Sequence, residues 1–252
     1  MSEVNQNNTE IKEIVINETK RVLEEEALAL LSFKDNIPDS LTHAVQLIQE
    51  AKNNKGKIME NMQVLKPYYR VDETLEQIRE CLEIGWTGMG FKTIEIEDKW
   101  KEYTNLPYAH FLNSATSGLH LATHILKKEN NWADGDEIIS TPFTFVSTNH
   151  AIKYENLNVV FADIDDSLCL DPVDVEAKIT DKTRAVIFVG LGGNTGKYKE
   201  IVALCRKHNL KLILDAAHMA GTRYDGVIPG ADADVVVYSF QAVKNMPTAD
   251  SG

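Results

Sequence analysis

LILDAAHMAG, residues 212–221, and VVVYSFQAVKNMPT, residues 235–248, decide how this chain folds. Each opens on a short apolar run and then breaks abruptly into small and polar residues, the pattern of a strand buried on both faces that leaves its sheet at a defined point. Similar runs precede them: YAHFLN ending at Asn113, DEIIS, NVVFAD and AVIFVG. Helical patterns lie between them, at 73–84, 93–104, about 116–128 and about 197–208. Short apolar runs separated by helices predict an α/β fold with a mostly parallel sheet covered on both sides. In such sheets ligands gather at the carboxyl ends of the strands, so the residues just after each run carry the chemistry.

Four strand-end segments stand out. In NSATSGLHLA, residues 113–122, small residues open a helix and leave backbone N–H groups at its positive end, either as an anion cradle around Ala115 and Thr116 or as an ordinary cap. In TPFTFVST, residues 141–148, Phe145 can stack on a flat ring or serve as core. Asp215 can pair with a protonated ring nitrogen or cap a helix, and His218 follows it in a half-buried place. Ser239 closes the last run, and Lys244 comes five residues later among uncharged neighbours, where burial would depress its amine pKa as imine chemistry requires.

The bulk properties narrow the partners. The chain has 252 residues, 43% hydrophobic and 25% charged, enough for a full core. Its net charge of −12, spread along the chain, argues against a nucleic-acid partner and for a small molecule. Three dispersed cysteines and no CxxC pair give no sign of a disulfide framework or zinc site, and no run has the length of a membrane span. A cytoplasmic location is expected, with no membrane partner.

Taken in order, the anion cradle, stacking aromatic, strand-end aspartate and later lysine resemble fold type I pyridoxal phosphate (PLP) enzymes. More narrowly, NSATSGLHLA, STPFTFVST, DAAHMAG and SFQAVKN resemble the DegT/DnrJ/EryC1/StrS family of sugar aminotransferases over residues 64–252. The resemblance implies the large domain of that fold, with a seven-stranded sheet. It also implies that Lys244 forms the internal aldimine, that Asp215 pairs with the pyridine nitrogen and that Phe145 stacks on the ring. Ala115, Thr116 and Ser239 would hold the phosphate, and His218 would sit beside the phenolic oxygen. The implied reaction moves an amino group, usually from glutamate, to a nucleotide-linked keto sugar in a homodimer. Related members with histidine in place of the lysine dehydrate instead, so Lys244 favours transamination.

Two departures accompany the resemblance. Gly190, in GLGGN, stands where many members carry a histidine. The chain also stops at Gly252, eight residues after Lys244, where members continue into a small C-terminal domain, which is therefore expected to be absent. Residues 1–57 are expected to form a separate helical extension ahead of a domain at 58–252; a helical hairpin over 10–53 is predicted, and its sequence resembles the leader of arabinose-5-phosphate isomerases. Two other readings stay open: a fused or incomplete PLP-binding or interaction protein, and another fold type I enzyme acting on amino acids, since the shared motifs hold cofactor rather than substrate.

Overall fold

The computed structural model describes residues 69–86 and 88–252. They belong to one unit, Val64–Gly252. The helical hairpin expected over 10–53 lies outside the described residues.

Two helices come first, α1 (Val71–Ile84) and α2 (Phe91–Thr104). Alternating elements follow: α3 (Ala115–Glu129), β1 (Glu137–Ser140), α4 (Val146–Tyr154), β2 (Asn158–Phe161), α5 (Pro172–Ala177), β3 (Thr183–Val189), α6 (Tyr198–Lys207), β4 (Lys211–Ala216) and β5 (Val235–Tyr238). All pairings are parallel, in the order β2-β1-β3-β4-β5. This is the expected α/β architecture, a parallel sheet with helices on both faces.

Side chains along a strand alternate between faces, and here the alternation separates two cores. One face carries Val186, Phe188, Leu212, Leu214 and Tyr238 and packs against α6 through Ile201, Val202 and Cys205. The other carries Ile138, Ala185, Ile187, Ile213 and Val237 and packs against α3 and α4 through Leu119, Leu126, Ala151 and Ile152. By the same alternation, Asp215 continues the face of Ile213, and Ser239 that of Val237. The strand period thus sends both toward the side of the sheet where α3 and α4 begin.

The expected strand at YAHFLN does not form, and the described residues hold five strands where seven were expected. Leu112 exchanges both backbone hydrogen bonds with Gly252, at 2.8 and 3.1 Å, and that pair is the extent of its ladder. The run lines one side of a groove of about 700 Å³ whose other side is the free edge of β5, so the two stretches do not pair directly. The further strand implied by the resemblance has no counterpart among the described residues. Among those residues no helix is long and apolar enough to cross a membrane.

Candidate active site

Register brings the strand ends together. Val189 pairs with Asp215, and Ala216 pairs with Tyr238, so Gly190, Asp215 and Ser239 emerge along one rim of the sheet. Trp100 of α2 makes edge contacts with Tyr238 and Phe240, at 4.9 and 5.1 Å between ring centroids. These rings flank Ser239 in sequence and, being two residues apart, anchor it from the opposite face.

Asp215 is only 4% exposed. Its Oδ2 accepts from Thr148 Oγ1 at 2.7 Å, and its Oδ1 from the Ala217 amide at 3.1 Å. Burial pushes the carboxyl above the usual carboxylate range, opposed by those two hydrogen bonds and by His218 and Lys244 nearby. It has no ion pair among the described residues. A buried carboxylate without an ion pair costs stability unless a cationic partner arrives, and a protonated pyridine nitrogen is such a partner.

Lys244 rides on a turn after β5. The turn is closed by Phe240 N to Ser251 O and Ala242 N to Ala249 O, both 2.8 Å, and is tied to the end of the Asp215 loop by Asn245, whose amide donates to Ala220 O. Its amine is half-buried and has no hydrogen bond or ion pair among the described residues. Burial lowers its pKa below the ordinary lysine value, with Asp215 pulling the other way. Such an amine is closer to the neutral form needed to attack a carbonyl.

His218 follows on the Asp215 loop. Its Nδ1 lies 3.1 Å from the Gly192 amide, which donates to it, so the neutral ring carries its proton on Nε2. Burial first, and repulsion from Lys244 second, hold its pKa below the usual histidine value. The ring is therefore a neutral donor.

At the start of α3, Ser114 caps the helix by accepting from Ser117 N at 3.2 Å, and Gly118 N donates to Ser114 O. The amides of Ala115 and Thr116, at the positive helix end where an anion is favoured, have no protein acceptor among the described residues, and Gly252 packs against the Ala115 nitrogen, where an added Cβ would lie 2.3 Å away. Gly118 permits this placement: a Cβ there would lie 2.8 Å from Val237 Cγ1, so only glycine lets α3 approach β5 so closely. Ser239 is buried, and its Oγ has one distant contact, from Gln241 N at 3.5 Å.

Phe145 is 69% exposed at the N-terminus of α4, so it is not a core residue. Among the described residues the candidate positions thus offer amides without a protein acceptor, an exposed aromatic face, a neutral imidazole donor, a buried carboxyl and an amine without a hydrogen bond or ion pair.

The departure at Gly190 has a steric cause. A Cβ there would lie 2.0 Å from Met219 Sδ, so the space a side chain at 190 would enter is filled by the buried Met219. Sequence reading passed over Thr148, Gly192 and Met219, although all three lie inside the quoted stretches.

The sequence profile of the DegT/DnrJ/EryC1/StrS aminotransferase family matches residues 69–252. The spore coat polysaccharide biosynthesis protein SpsC of Bacillus subtilis is 36% identical over 181 residues, covering 71% of this chain and 46% of SpsC. The chain spans about half the length of the curated relatives it matches. Among solved structures, Helicobacter pylori PseC, an aminotransferase involved in pseudoaminic acid biosynthesis, is 28% identical with a TM-score of 0.69, over 74% of this chain and 50% of PseC. DesI, solved in the presence of its TDP-sugar product, is 30% identical with a TM-score of 0.66, over 75% of this chain and 47% of DesI. With the profile match running through the cradle at Ala115 and Thr116, the Asp215 loop and the Lys244 turn, this chain belongs to the DegT/DnrJ/EryC1/StrS aminotransferase family.

Proposed function

We propose that the chain forms the cofactor-binding part of a PLP-dependent aminotransferase that places an amino group on a nucleotide-linked keto sugar, with glutamate as donor. The observation that carries this reading is that Asp215, buried and without an ion pair among the described residues, lies at the end of β4, while Lys244, half-buried and likewise without one, rides on the turn after the neighbouring β5. PLP, when bound, supplies an electron-withdrawing ring that accepts negative charge from a carbon losing its proton.

The protein's own groups do the rest. The Ala115 and Thr116 amides, with the Thr116 and Ser239 hydroxyls, bind the phosphate and fix the ring's position. Asp215 keeps a proton on the ring nitrogen, and the low polarity around it strengthens that attraction. Phe145, exposed at the start of α4, would stack on the ring and shield it from water. His218 would offer its Nε2 proton to the phenolic oxygen. Lys244 Nζ holds the cofactor between turnovers and carries the proton to and from the reacting carbon.

The nucleotide-sugar substrate class rests on family membership and on relatives such as DesI, and a homodimer is part of the same reading. The test is the first half-reaction: the purified chain, given PLP and glutamate, should yield pyridoxamine phosphate and 2-oxoglutarate in equal amounts. Preference for other amino acids with release of a fragment of their side chain would point instead to a lyase on the same fold.

A further inference from the structure

Thr148 and Asp215 are 67 residues apart in sequence and meet in the interior. Thr148 is fully buried, so no water replaces its hydroxyl. Three other helical threonines turn inward on their own helix: Thr74, Thr104 and Thr123 each donate to the carbonyl four residues back. Thr148 instead aims its hydroxyl across to β4.

An ionised carboxylate only accepts hydrogen bonds, so the Thr148 proton lies toward Asp215. The Thr148 oxygen is then left to accept, and Thr144 Oγ1, 2.9 Å away, is its donor. The direction Thr144 to Thr148 to Asp215 follows. Thr144 immediately precedes Phe145, so this chain of hydroxyls ties the loop bearing the stacking ring to the strand end bearing the ring-nitrogen partner. Thr148 and the Ala217 amide occupy one oxygen of Asp215 each, which fixes the rotation of the carboxyl group.

We propose that Thr148 is a positioning residue, holding the Asp215 carboxylate ionised and turned toward the cofactor ring, with Thr144 orienting the Thr148 hydroxyl. This rests on the PLP reading above. The titratable groups that bear on Asp215 are His218, from its own loop, and Lys244, from the turn after β5. Neither hydrogen-bonds to Thr148, whose side-chain partners among the described residues are Thr144 and Asp215.

The test uses the full chain without cofactor and then with it. The ¹³C carboxyl signal of Asp215, assigned by its loss in Asp215→Asn, is followed against pH. Thr148→Val keeps the shape and removes the donor, and should raise the titration midpoint by about one pH unit. Thr148→Ser should restore it, and Thr144→Val, on the partly exposed loop, should move it the same way by less. In PLP titrations, Thr148→Val should weaken binding about tenfold, and this loss should vanish when Asp215→Asn is already present. An unmoved midpoint in Thr148→Val and Thr144→Val, or an equal loss of affinity in the Asp215→Asn background, overturns the proposal. If wild type binds no PLP, the functional reading fails while the titration still decides whether Thr148 acts on Asp215.

Discussion

The Gly192 amide donates to Nδ1 of His218 at 3.1 Å, which leaves Nε2 as the ring nitrogen with a proton to give. A glycine thereby selects the tautomer of the imidazole that follows Asp215 on its loop.

This tautomer can be tested by shape. Glutamine at 218 can place an amide N–H near the Nε2 position, whereas asparagine can accept from Gly192 but is too short to reach beyond it. His218→Gln should bind PLP within a few-fold of wild type, and His218→Asn about tenfold more weakly, the worth of one hydrogen bond to an anion. Equal affinities by fluorescence titration would remove His218 from the site.

Asp215 should lower the stability of the cofactor-free protein. Its folded pKa lies above the unfolded value, so its contribution is fully present below the unfolded pKa and is lost as pH rises through the folded one. Asp215→Asn should therefore be more stable than wild type at neutral pH, on the order of 1 kcal/mol, and the two should converge below about pH 4. Urea unfolding across this pH range measures it. The same variant should bind PLP far more weakly, so stability and binding move in opposite directions. An asparagine variant less stable at pH 7 would assign Asp215 a structural role.

Gly118 should behave against helix propensity. Replacing an exposed helical glycine by alanine gains about 1 kcal/mol, but here the new methyl would meet Val237 Cγ1 at 2.8 Å. Gly118→Ala should cost about 1–3 kcal/mol, and Val237→Ala should recover part of it. A more stable Gly118→Ala, measured by thermal unfolding, would show that α3 and β5 do not approach as described.

Much of the fold was legible because β3, β4 and β5 are apolar runs ending at a small or polar residue, and register then carries their ends to one rim. YAHFLN has the same composition, yet its backbone pairs only through Leu112 and Gly252. Composition alone does not say whether a neighbouring strand is within reach. Asp215 could be singled out as a candidate from its position at a strand end, and Lys244 from the order of the four segments. Thr148 could not, since its role depends on a contact spanning 67 residues, and the sequence does not distinguish it from the other threonines of its segment. Gly190 read as a departure from the family, and only packing shows Met219 filling the space beside it.

The most direct test of the central claim is chemical. The chain is mixed with PLP, reduced with borohydride, digested and mapped by mass spectrometry. The account predicts one stoichiometric phosphopyridoxyl label on Lys244, lost in Lys244→Ala. Labelling scattered over surface lysines, or unchanged in Lys244→Ala, would contradict it.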